Sequence, residues 1–111
     1  MNINELLLAM QKRPGMYVKS VSFDNIIDYI DAFLSTKRIC GINDCKDDYF
    51  SSHFPSWVCK YFNMDDESSR NWDKIIYLNS YSDEDAVEKL FSLSFLFFDE
   101  KEKRLNDAEN N

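Results

Sequence analysis

Between Ser82 and Phe98 the sequence spells a helix that is apolar almost all the way round. Val87, Leu90, Phe91, Ser94, Phe97 and Phe98 recur at spacings of three and four, and Leu93, Phe95 and Leu96 carry the apolar surface onto the flanks. Such a helix has no side to spare for water, so it must sit at the centre with other elements packed round it. Its start is well marked. Ser82 offers an N-cap oxygen, and Asp83, Glu84 and Asp85 put negative charge at the positive end of the helix dipole. Lys101, Lys103 and Arg104 suit the opposite end, and residues 106–111 read as a frayed tail.

The surrounding elements also read as helices. Ile3, Leu6, Leu7 and Met10 form one stripe, Asn2 and Glu5 are spaced as a capping pair, and Pro14 ends the pattern near Lys12. Ser22 caps a second helix whose face is Phe23, Ile26, Ile27, Ile30, Phe33 and Leu34, with Asp24, Asn25, Asp28 and Asp31 turned outward. From Thr36 to Ser52 the periodicity lapses, and the stretch is expected to be an exposed connection with at most one turn of helix. Pro55 then serves as an early residue of a third helix bearing Trp57, Val58, Tyr61 and Phe62. An acidic loop, Asp65 to Ser69, follows. Trp72, Ile75, Ile76 and Asn79 fit a helix, although residues 75–78 also fit strand alternation, and the helix is preferred. The expectation is an all-α fold: about five helices in one compact domain over residues 1–105, joined by acidic loops. A chain of 111 residues has room for one such core, and 44% hydrophobic residues are enough to fill it.

Charge narrows the function classes. The net charge of -7 is the wrong sign for gripping phosphate backbones, so nucleic acid is not an expected ligand. Gly15 and Gly41 are too few and too far apart for a phosphate-cradling loop. The apolar run Leu6 to Met10 lacks the flanks of a targeting segment, and Leu90 to Phe98 is far short of a bilayer span, so no membrane association and a cytoplasmic location are expected. Cys40, Cys45 and Cys59 are read as reduced thiols, packed as small apolar residues rather than paired.

No catalytic constellation emerges. His53, the single histidine, has no partner at a recognisable motif spacing and reads as a plain loop or cap residue. Together with the cysteines it gives C-x4-C-x7-H-x5-C, which has zinc-ligand residue types without the tight paired spacing of structural zinc sites. Carboxylate pairs such as Asp28 and Asp31 fall on a solvated helix face, where nothing sets their pKa values apart for acid–base work. The expectation is therefore a non-enzyme with neither cofactor nor metal.

The acidity is segregated. Residues 1–38 carry five basic and four acidic side chains, whereas residues 39–111 carry eight basic and sixteen acidic ones. Loops and helix starts are natural places for carboxylates, but the arrangement also suits an anionic docking face for a basic protein. Asp44, Asp47, Asp48, Asp65, Asp66 and Glu67 are the candidates for that face, with Tyr49 as an aromatic anchor.

The run Lys12-Arg13-Pro14-Gly15-Met16-Tyr17 resembles one near the N-terminus of type II topoisomerase ATPase domains. That likeness goes no further, because Asp28 and Ala32 stand where the family's helix carries glutamate and a metal-binding asparagine, and no glycine-rich lid follows. A broader likeness covers most of the chain: Arg13 to Tyr17, the apolar helix Phe23 to Leu34, Phe54 with Trp57-Val58, Trp72 with Ile75-Ile76, and the acidic helix start at Ser82 leading to Phe98. In this order they resemble small bacterial immunity proteins of polymorphic-toxin and contact-dependent growth inhibition systems, with Lys19 a departure where the pattern favours glycine. The resemblance implies a cytosolic protein that binds and neutralises a cognate toxin domain, and it carries over no catalytic residue. The acidic charge points to a basic nuclease acting on RNA as that toxin. A small helical adaptor or regulatory subunit of a cellular complex is the alternative.

Overall fold

A computed structural model describes residues 1–109, with side chains as far as Leu105. Among these residues there are five α-helices and no strand, so the chain is all-α. Helix α1 (Ile3–Lys12) opens on a reciprocal capping box: the Glu5 N–H donates to Asn2 Oδ1 at 3.0 Å, and the Asn2 N–H donates to Glu5 Oε1 at 3.1 Å. Ile3, Leu6, Leu7 and Met10 are its buried stripe. A short 3-10 turn, Pro14–Met16, leads out of it.

Helix α2 (Phe23–Ile39) starts where Ser22 Oγ accepts the Asn25 N–H. Phe23, Ile26, Ile27 and Ile30 are buried, while Phe33 and Leu34 pack only at the edge of the core. The helix ends in a left-handed residue, Gly41 (φ 71°), with the Ile42 N–H reaching back to the Lys37 carbonyl at 2.9 Å and the Gly41 N–H to that of Arg38. A residue with a Cβ would be strained at that position.

Helix α3 (Cys45–Tyr61) corrects the expected long connection. It begins ten residues before Pro55, because Asp44 is itself an N-cap, accepting the N–H groups of Lys46 and Asp47 at 2.8 and 3.3 Å. Pro55 lies inside α3 rather than near its start. Lacking an N–H, Pro55 leaves the Ser51 carbonyl without its helical partner, which a half-exposed helix can offset with water. Asn63 ends α3 as Gly41 ends α2, with φ 57° and the Met64 N–H returning to the Cys59 carbonyl at 2.7 Å. The acidic stretch that follows is a 3-10 turn, Asp66–Asn71, rather than an open loop.

Helix α4 (Trp72–Leu78) is short, with Ile75 and Ile76 buried, which settles the choice between helix and strand. Helix α5 (Asp83–Glu109) is the central element. Ser82 Oγ accepts the Asp85 N–H at 3.0 Å, and the Asp83 carboxylate also receives the N–H of Phe23 at 3.2 Å, so one acid serves the first turns of both α5 and α2. The backbone of the expected tail is helical as far as Glu109, and residues 110–111 lie outside the described residues.

The core is aromatic at one end. Phe97 has ring centroids of Tyr49, Phe50, Phe54, Trp57 and Phe98 within 6.2 Å, in mostly edge-to-face pairings. Leu90, Phe91, Leu93 and the hydroxyl-bearing Ser94 are buried as well, Ser94 Oγ donating to the Leu90 carbonyl at 2.7 Å. Leu96 stays partly in solvent, so the apolar girdle of α5 is open on one side.

Candidate functional site

Residues 49, 53, 56, 57 and 60 share one face of α3 by helical spacing, and this face lies open beside α5. It forms the floor of a cleft of about 610 Å³, whose walls are Phe97 and Arg104 of α5 and Met64, Asp65 and Asp66 beyond the Asn63 turn. The left-handed turn at Asn63 folds the chain back on α3, and that is what brings the two aspartates to the rim.

The aromatic floor is internally braced. Tyr49 stacks on Phe97 at 5.0 Å and meets His53 at 4.8 Å; Lys101 Nζ lies 4.1 Å from the Tyr49 ring centroid, and Arg104 donates to its hydroxyl at 3.2 Å. Trp57 stacks on Tyr61 at 5.4 Å and donates its indole N–H to Glu100 at 2.7 Å. Tyr49 is thus a braced part of the cleft floor, its ring and hydroxyl both already in contact with α5.

The expected acidic face divides in two. Asp65 and Asp66 meet Tyr49 at the cleft, and Glu67 is exposed in the adjoining 3-10 turn. Asp44, Asp47 and Asp48 instead belong to the start of α3. Asp44 is occupied as its cap. Asp48 is exposed beside Lys37 and Arg38 in a separate hollow of about 320 Å³. Asp47 is buried: it accepts the Ile3 N–H at 2.6 Å and pairs with Lys37, whose ammonium also donates to the Met1 carbonyl. It therefore ties α1, α2 and α3 together and is withdrawn from any docking face, because a carboxylate turned inward against two donors presents no charge to a partner.

Among the described residues, three groups have shifted proton affinities. Burial pushes the Cys59 thiol up, and the Asp66 carboxylate adds to the effect, so Cys59 stays protonated and inert. Cys40 and Cys45 are exposed, which corrects the expectation that all three thiols are packed. Desolvation raises Asp31, helped by the nearby charges of Asp73 and Asp28. Asp85 is lowered chiefly by the N–H of Tyr81; desolvation opposes this, and the hydrogen bond and charge of Lys89 add to the lowering.

Sequence reasoning missed the connection between α4 and α5. Tyr77, Leu78 and Tyr81 are exposed there, off the stripe that buries Ile75 and Ile76. The available signal was Leu78 and Tyr81, two large side chains that fit neither the helical face of Trp72, Ile75 and Ile76 nor the cap at Ser82.

His53 is exposed on α3 rather than in a loop, and its near neighbours are the ring of Tyr49 and the walls of the cleft. Among the described residues no group of three or more histidine, cysteine or acidic side chains could hold a metal ion, and no helix is long and apolar enough to cross a membrane. The arrangement offers aromatic surface and charge, which is the chemistry of recognition. Comparison with protein families, curated proteins and solved structures finds no match.

Proposed function

We propose that this chain is an immunity protein that binds and neutralises a cognate bacterial toxin domain, a basic nuclease acting on RNA, by covering its active site with an acidic surface. The observation that carries this reading is the state of Asp65, Asp66 and Glu67. All three are exposed, and among the described residues none of their side chains makes a hydrogen bond or ion pair. Asp65 and Asp66 stand at the rim of an aromatic cleft beside the exposed Met64, and Glu67 follows in the adjoining 3-10 turn. A nuclease groove must be cationic to hold nucleic acid, and three free carboxylates at the start of a short 3-10 turn can occupy the phosphate positions. The order of motifs from Arg13 to Phe98, which resembles immunity proteins, supports the same conclusion.

The test is co-expression with the C-terminal domain of the product of the reading frame immediately upstream of this chain, which on this reading is the toxin. Protection and co-purification are expected. Reversing Asp65, Asp66 and Glu67 together to lysine is expected to slow association about tenfold at low salt, leaving the thermal transition in place. Absence of protection by the unaltered chain would overturn the reading and leave the adaptor alternative.

A further inference from the structure

Leu78 and Tyr81 are 80% and 99% exposed, extreme values for large apolar and aromatic side chains in a folded domain, and the neighbouring Tyr77 is 48% exposed. Ordinarily such residues lie on loose segments. Here the segment that carries them is held at nearly every step. The Asn79 side-chain amide donates to the Ile75 carbonyl at 2.8 Å, and Ser80 Oγ donates to the Ile76 carbonyl at 2.7 Å. Lys89 of α5 reaches across to donate to the Asn79 carbonyl and pairs with Asp85 at 3.2 Å. Asp85 in turn accepts the Tyr81 N–H at 2.9 Å, and the Lys89 ammonium stands 5.5 Å from the Tyr81 ring centroid. The corner between α4 and α5 is therefore a fixed platform that turns two large side chains outward.

We infer that this corner is a docking surface for a basic protein partner, with Leu78 and Tyr81 as its anchors. This rests on the proposal that the chain inhibits a toxin, and it names a second contact region for that toxin, separate from the carboxylates at the cleft. A rigid platform spares the partner the entropy of ordering the loop, which is the usual cost of binding through exposed side chains. Large aromatic and aliphatic anchors supply most of the binding energy in such contacts. Charge selects the occupant. From Asp73 to Lys89 the chain carries five carboxylates against Lys74 and Lys89. Asp83 is taken up by the Phe23 N–H, and Asp85 by the Tyr81 N–H and Lys89, which leaves Glu84 and Glu88 to face a partner. Glu84 and Glu88 lie exposed one helical turn apart, and among the described residues their side chains have no hydrogen-bond or ion-pair partner. A second copy of this chain would set like charge against like charge here, whereas a cationic nuclease surface meets the anchors and the acidic rim together.

The experiment uses the full chain and the purified C-terminal domain of the product of the upstream reading frame, the toxin of the reading above. Leu78→Asp and Tyr81→Ala are each expected to weaken binding about 30-fold. Ile39→Asp, a charge placed at another apolar residue that is 85% exposed, is the matched control and is expected to bind as the unaltered chain does. Helical content and melting are expected to be unchanged in all three, since each side chain points into solvent. If the unaltered chain binds and both corner variants bind equally well, this inference is overturned while the toxin-inhibitor reading stands. Equal weakening by Ile39→Asp also overturns it, by showing a general apolar effect. A dimer of the unaltered chain in sedimentation that Leu78→Asp dissolves would assign the corner to self-association and overturn it too. Failure of the unaltered chain to bind the toxin overturns both readings.

Discussion

The ammonium of Lys37 donates to the carboxylate of Asp47 in a largely enclosed pairing that spans the end of α2 and the first turn of α3. The other carboxylate oxygen takes the Ile3 N–H of α1, so three helices meet on one side chain. An ion pair this deep is costly to assemble, but removing one partner strands the other in a poorly solvated position.

Asp47→Ala is accordingly expected to lower unfolding free energy by about 3 kcal/mol. Asp47→Asn keeps an acceptor for the Ile3 N–H and is expected to lose less. Urea denaturation of the two variants checks the ordering; equal and negligible losses would mean that Asp47 is an ordinary surface acid.

The cysteines provide a second measurement. Cys40 and Cys45 are exposed and Cys59 is fully buried with its thiol held protonated. In the native protein a thiol reagent is expected to titrate two groups promptly, and the third only at the rate of unfolding. Prompt reaction of all three would contradict the packing of Val58 and Cys59 against the core. Cys59→Ser, which puts a hydroxyl in an apolar site, is expected to destabilise, whereas Cys40→Ser is expected to be silent.

Asp31 gives a pH signature. Its folded-state proton affinity is raised, first by desolvation and then by Asp73 and Asp28, so ionisation works against the fold. That penalty is fully present above the raised folded value and disappears below the ordinary aspartate value of about 3.9. Asp31→Asn is expected to melt higher than the parent at pH 7, with the gain shrinking to nothing as the pH falls through the carboxylate range. The side chain still reaches solvent, so the gain is small. A gain that grows on acidification would refute the assignment.

The helices whose apolar face and cap agree were legible from the sequence: α1 with its Asn2 and Glu5 box, α2 with Ser22, and α5 with Ser82. The start of α3 was not, although Asp44 followed by Asp47 and Asp48 is a sound helix start in its own right. Pro55 competed for the same role, and the stripe of Phe50, Phe54 and Val58 straddles it. The inward turn of Asp47 was beyond reach for a different reason. Its partner on α1 is 44 residues away, and burial of a carboxylate depends on which donors the packing brings to it. Likewise the union of Tyr49 with Asp65 and Asp66 depends on the return of the chain at Asn63, a left-handed residue that sequence pattern does not single out.

At the corner between α4 and α5 the residues that hold the backbone, Asn79, Ser80, Asp85 and Lys89, are not the ones that face outward, Leu78 and Tyr81. Scaffold and display are thereby written in separate letters. Substitution at positions 78 and 81 can therefore change the exposed chemistry of this corner one residue at a time, while the bonds beneath keep its shape and the fold is never at stake.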